Sequence, residues 1–191
     1  MRKSGLASLA MYYCDFREDQ KKNLRGLLTS VLFQLCDQSS VYHDFLSNFY
    51  SAHHNDAESP SDDELALCSK DLLGLSGQPP VYLIIDALDE CLATSALSSP
   101  REEVLTLVVQ LIESRSTNLR ICVTSRPEID IKVTLAPLTF RSISVHDERG
   151  QLEDIANYIK SVMITDTKCR RWREEDKELV IDVLTERAYG R

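Results

Sequence analysis

No stretch of this chain approaches the ~20 consecutive apolar residues that a membrane-spanning helix needs. No run of Lys and Arg is dense enough to track a phosphate backbone, and 22 basic against 30 acidic side chains leave a formal net charge of −8. That balance argues against a nucleic-acid or anionic-membrane surface, because both need clustered positive charge. CxxC pairs are missing, and Cys14, Cys36, Cys68, Cys91, Cys122 and Cys169 are scattered, mostly through apolar runs. Reduced core thiols in a cytoplasmic protein are therefore expected, rather than a disulfide framework or a zinc site. Adjacent His53 and His54 have no third ligand in view, and repeats and low-complexity tracts are absent from the sequence. The first ten residues are weakly signal-like but run straight into Tyr12-Tyr13-Cys14-Asp15-Phe16, which reads as a strand rather than a secretory leader.

What is present suits one domain, or one domain and part of another. Its 191 residues, 43% of them hydrophobic, are enough to build a sizeable core. The stretch around which the chain is organised is Val81-Tyr82-Leu83-Ile84-Ile85-Asp86-Ala87-Leu88-Asp89-Glu90. A short β-branched run after Gly77-Gln78-Pro79-Pro80 predicts a strand buried on both faces, as in a parallel sheet. It delivers Asp86, Asp89 and Glu90 to its carboxyl end, where open parallel sheets bind ligands. Mg2+ takes oxygen ligands and uses only one or two carboxylates, so the cluster suits a hydrated cation beside phosphate. The plainer alternative is that these acids cap the next helix or solvate a loop.

On either side, strand and helix signals alternate. Residues 9–16 read as the first strand. Leu24, Leu27, Leu28, Val31, Leu32 and Leu35 recur at helical spacing, and a second helix is predicted over 41–50. A polar loop over 53–60 follows, and then Ser61 and Glu64 form a capping-box pattern that opens a helix to about Leu75. A small-residue loop at 92–98 leads to Ser99-Pro100-Arg101-Glu102, which has the N-cap, first-position Pro and third-position Glu of a helix start. Residues 118–124 predict another buried strand, ended by Ser125-Arg126-Pro127-Glu128. A short strand at 141–145 and amphipathic helices over 151–163 and 174–188 complete the chain. This order predicts a mostly parallel sheet with right-handed crossovers. If the strands ending at Asp86 and Thr124 are neighbours, Arg126 and the carboxylates flank one cleft. Arg126 then either meets a phosphate or simply pairs with Asp86 or Glu128.

At these residues the sequence resembles NACHT domains, a group of the signal-transducing (STAND-class) P-loop NTPases, and in particular the nephrocystin-like N-terminal modules of fungal receptor-type proteins. Residues 81–90 look like the Walker B strand and Ile-Cys-Val-Thr-Ser-Arg-Pro-Glu at 121–128 like the sensor strand. Residues 12–17, 23–28 and 171–177 extend the likeness over nearly the whole chain. The resemblance implies that Asp86 holds Mg2+ through water, that Asp89 and Glu90 orient or activate the attacking water, and that Arg126, with Ser125 beside it, faces the γ-phosphate. It implies an ATP- or GTP-dependent switch flanked by effector and repeat domains.

One departure is large. A phosphate-cradling loop needs G-x-x-x-x-G-K-[ST], and the 191 residues contain none. The expected fold is thus a three-layer α/β sandwich whose P-loop-type core lacks its first strand. Residues 1–146 form a partial nucleotide-binding core, and 147–191 begin a helical subdomain. The chain reads as the middle of a NACHT domain, not competent for nucleotide binding or hydrolysis alone; the competing reading is a non-catalytic interaction module or a decayed remnant. With the first strand missing, residues 141–145 are expected to pair directly with the strand ending at Thr124, and the alternative is an open edge that favours self-association.

Overall fold

The computed structural model describes residues 6–53, 59–91, 99–144 and 149–188. The chain divides into two compact units, Met1–Thr139 and Phe140–Arg191. The first is an α/β sandwich. Among the described residues its sheet has three parallel strands, β1 (Ser8–Tyr13), β2 (Val81–Asp86) and β3 (Leu119–Val123), with β2 in the middle. The three strands read from the apolar runs are therefore in place, and the two whose carboxyl ends carry Asp86 and Thr124 are neighbours. The register sets Ala10 beside Leu83 and Leu83 beside Ile121, so one face of the sheet is built from matched apolar positions.

Four helices complete the core. They are α1 (Leu24–Cys36), α2 (Ser40–His53), α3 (Asp62–Leu73) and α4 (Pro100–Glu113), with the short α5 (Ile129–Leu135) after β3. Their ends are written locally. Asn23 caps α1 by accepting from the Gly26 N–H at 2.8 Å. Full capping boxes join Ser61 to Glu64 at α3 and Ser99 to Glu102 at α4. Each cap contributes about 1 kcal/mol by giving an otherwise unpartnered helical N–H an acceptor. Leu27, Leu28, Val31, Leu32 and Leu35 of α1 are all buried, as their spacing predicts, against Ala10, Leu65, Leu72, Leu83, Ile85, Val104 and Val108.

Two expectations about β1 and β2 are corrected. The central strand is not buried on both faces. Val81, Leu83 and Ile85 are buried, whereas Tyr82 is 43% exposed and Ile84 half-buried. The second face of the sheet also carries Met11 and Tyr13, both exposed. The first strand stops at Tyr13, because Cys14 to Lys21 turn back, with the Asp15 N–H donating to the Lys21 carbonyl at 3.0 Å.

The two edges of the sheet differ. On β1, the Gln38 side chain bonds both backbone groups of Leu9, with Oε1 accepting at 2.9 Å and Nε2 donating at 2.7 Å. Gln34 does the same for Met11, at 3.0 and 2.7 Å. Two glutamines one helical turn apart thus stand in for a neighbouring strand. On β3, Asn118 and Thr124 bond toward β2, so by alternation the backbone groups of Leu119, Ile121 and Val123 face outward. The Leu119 carbonyl accepts from the Arg120 guanidinium, while Ile121 and Val123 have no partner on that side among the described residues.

The strand expected at 141–145 is not formed over its described residues. Residues 141–144 are irregular and exposed, and Val145 lies outside the described residues. Ile143, flanked by serines, is 60% exposed and buries too little apolar surface to offset the cost of ordering a strand. His53, expected in a loop, closes α2. His54 and the predicted loop at 92–98 fall outside the described residues.

The second unit holds α6 (Arg149–Thr165) and α7 (Glu174–Ala188), which pack on each other through a short turn at Cys169–Arg171. Asp166 starts that turn by accepting from the Lys168 N–H at 2.7 Å. Among the described residues, no helix of either unit is long and apolar enough to cross a membrane.

Candidate functional site

The carboxyl ends of β2 and β3 lie side by side and are cross-linked by polar contacts. Ala87, directly after Asp86, adopts a left-handed conformation (φ 54°, ψ 48°), rare for a residue with a Cβ and costing about 1–2 kcal/mol. This kink folds Leu88–Glu90 into one tight turn and swings its acids toward β3. Thr124 holds the kink from the other side. Its Oγ1 accepts from the Ala87 N–H at 3.0 Å, its carbonyl accepts from the Leu88 N–H at 2.9 Å, and its hydroxyl donates to Asp86 Oδ1.

Asp89 makes the second link. Its Oδ1 accepts from the Arg126 N–H at 2.9 Å, and the Arg126 Nε lies 3.5 Å from Oδ2. The Asp89 side chain is 9% exposed and that of Arg126 is 79% exposed, so the carboxylate is recessed and the guanidinium reaches into solvent. Of the sequence-predicted set, Asp86, Asp89 and Arg126 are therefore brought together. Arg126 takes Asp89 as its partner, not the Asp86 or Glu128 that spacing suggested. Glu90 is half-buried on the same turn, and Ser125 is exposed.

Sequence reasoning missed the residue that braces this turn from beneath. Arg101, in the first turn of α4, is only 8% exposed. Its Nη2 donates to the Asp89 carbonyl at 2.6 Å, its Nε to the Cys91 carbonyl at 3.0 Å, and its Nη1 to Asp130 Oδ2 of α5 at 3.1 Å. Burial works against the charge on Asp130, yet the Arg101 bonds hold its carboxyl below the usual range. The only sequence signal was a charged residue directly after a helix-starting Ser-Pro, which ordinarily marks a solvated first turn. A second missed pair is Asp15 and Arg17, just after β1. Arg17 donates through its N–H, Nε and Nη2, each at 2.9 Å, and this holds the Asp15 carboxyl at about 2. Glu90 lies close enough to favour the Arg17 charge.

Beneath the acids, the Cys14 and Cys91 thiols lie 3.2 Å apart and share a hydrogen bond, both fully buried. The shared bond and the nearby Arg101 charge favour the thiolate on Cys91, and the same bond with burial keeps Cys14 protonated. Among the described residues, no group of three or more His, Cys, Asp or Glu side chains is arranged to hold a metal ion by itself. The donor set is thus one open carboxylate with a hydroxyl, one recessed ion pair and a buried guanidinium.

No curated protein and no solved structure matches the chain. A family model does, that of the nephrocystin 3 N-terminal domain, over residues 1–126. The match takes in both strand ends and every residue of the site but Asp130, and on that extent the chain belongs to the nephrocystin 3 N-terminal family.

Proposed function

We propose that this chain is part of a nucleotide-dependent signalling switch of the NACHT type, carrying its metal-side and sensor-side groups and not its phosphate cradle. The observation that supports this reading is the cross-linking of two strand ends, Asp86 to Thr124 and Asp89 to Arg126. Such a joint turns a change at an exposed guanidinium into a change at a carboxylate on the next strand. Asp86 fits the metal role. It is half-buried at a strand end, with Oδ1 set by Thr124 and no protein partner on Oδ2 among the described residues. Mg2+ held there through water would neutralise phosphate charge.

The nucleotide itself does not fit this chain alone. Its phosphates need a loop of backbone amides and a Lys, and the sequence has no such loop. Hydrolysis is accordingly not assigned to these residues by themselves. Within a complete switch, Asp89 would position Arg126, the exposed guanidinium and Ser125 would face the γ-phosphate, and Glu90 would orient water. ATP or GTP, a cytoplasmic setting and flanking effector and repeat domains belong to the same proposal.

The second reading, a non-catalytic interaction module, is favoured by exposed Met11, Tyr13 and Tyr82 on one sheet face and by the outward backbone groups of Ile121 and Val123, which have no partner among the described residues. Calorimetric titration of the chain with Mg-ATP tests the first. No binding tighter than about millimolar is expected, and a Kd at or below about micromolar would refute the claim that the cradle is missing. Fusing a strand and a G-x-x-x-x-G-K-[ST] loop upstream separates the two readings. The switch gains Mg-ATP affinity and solubility together, whereas the interaction module gains neither.

A further inference from the structure

Each of the paired thiols under the acidic turn belongs to a different element that the backbone already holds in place. The Cys14 N–H donates to the Asp86 carbonyl at 2.9 Å, extending the β1–β2 ladder by one rung. The Cys91 N–H donates to the Leu88 carbonyl at 3.1 Å, and its carbonyl accepts from Arg101 at 3.0 Å. The 3.2 Å between the sulfurs needs to shorten by about 1 Å to reach a disulfide bond length. No other two thiols share a hydrogen bond among the described residues, and Cys122 is the exposed one.

We propose that Cys14 and Cys91 form a reversible disulfide that fastens the end of β1 to the turn carrying Asp89 and Glu90. The co-reactant is a hydroperoxide, of which hydrogen peroxide is the smallest. The Cys91 sulfur attacks one peroxide oxygen and the O–O bond breaks. The thiol proton passes to the departing oxygen as water, leaving a sulfenic acid on Cys91. The Cys14 sulfur then displaces that oxygen. The S–S bond forms, the S–O bond breaks, and the Cys14 proton leaves with the oxygen as a second water. Two thiols give up two electrons and two protons, and the peroxide takes up both. A dithiol reductant reverses the step by exchange. Burial of both sulfurs sets the rate, through opening of the turn, and not the product. The bond closes a loop that runs through α1, α2, α3 and β2, so it constrains the unfolded chain strongly.

The test treats the full chain with hydrogen peroxide, blocks remaining thiols with an alkylating agent and maps the peptides. A peptide joining Cys14 to Cys91 is expected, lost in Cys14→Ser and in Cys91→Ser and kept in Cys122→Ser. The oxidised wild type should melt roughly 10 °C higher, and dithiothreitol should return it. Amide exchange at Leu88, Glu90 and Cys91 should slow on oxidation. Oxidation of Cys122 with Cys14 and Cys91 both left alkylatable would overturn the proposal, as would a link from either to any other cysteine. Because the linked peptide is sought in the wild type, the result stands even if a serine variant fails to fold.

Discussion

The Asp89 carboxylate gathers both the main chain and the side chain of one residue just past the end of β3, taking the Arg126 N–H at 2.9 Å and facing its Nε at 3.5 Å. The two bonds are unequal. The first goes to a fixed amide, and the second to a guanidinium that water also solvates.

Asp89→Ala should therefore cost about 1–2 kcal/mol, since it removes a charged acceptor from a backbone amide. Arg126→Ala should cost under about 1 kcal/mol, because an ion pair with one exposed partner adds little. Urea unfolding of both variants measures the difference. Equal losses would mean that the side-chain pair, not the amide bond, holds the strand ends together.

Gly26 is required by contact. A Cβ built there meets the Gln20 carbonyl oxygen at 1.8 Å and Tyr12 Oη at 3.0 Å. Replacing a helical Gly by Ala ordinarily gains up to about 1 kcal/mol, but here the overlap with backbone outweighs it. A net loss of roughly 1–3 kcal/mol is expected for Gly26→Ala. A more stable Gly26→Ala protein would show that α1 does not sit against the Gln20 turn.

The two isoleucines of β2 should respond differently. Ile85 is fully buried, so Ile85→Ala should lose about 3 kcal/mol, and Ile85→Asp should abolish folding by placing an unpaired charge in the core. Ile84 lies on the half-open face, and Ile84→Ala should cost about 1 kcal/mol. Denaturant midpoints for the pair read out which face is the core. Similar losses at both positions would contradict the exposure of Tyr82 and Met11.

Acid should weaken the joint after β1. Arg17 holds the Asp15 carboxyl at about 2, below its value in the unfolded chain. The folded form thus binds fewer protons, and stability falls as pH falls. The gap in Tm between wild type and Asp15→Asn should be constant above about pH 5 and close between about pH 4 and 2. A gap that persists at pH 2 would mean that Asn preserves the turn by other bonds.

What could be read in the sequence was local chemistry. The Ser61–Glu64 and Ser99–Glu102 boxes each span one helical turn, and the leucines of α1 mark their own buried face. The existence of β1, β2 and β3 followed from short apolar runs separated by helices. What could not be read depends on partners far along the chain. Gln34 and Gln38 meet strand residues 23 and 29 positions away, and nothing in their neighbourhood marks them as edge caps. That the ion-pair partner of Arg126 is Asp89, and not Asp86 or Glu128, depends on the left-handed turn at Ala87, a conformation its side chain does not advertise. Arg101 looked like an ordinary solvated helix start until β2 and α5 closed over it.

The unlike edges of the sheet give it a direction of growth. Glutamine amides occupy Leu9 and Met11 on β1, whereas the outward backbone groups of Ile121 and Val123 on β3 have no partner among the described residues. A strand added there lies next to β3 with one of its ends level with Thr124 and Arg126. Run parallel, its carboxyl end lies there; run antiparallel, its amino end does. Either way, one end of such a strand comes to the side of the sheet that carries Thr124 and Arg126.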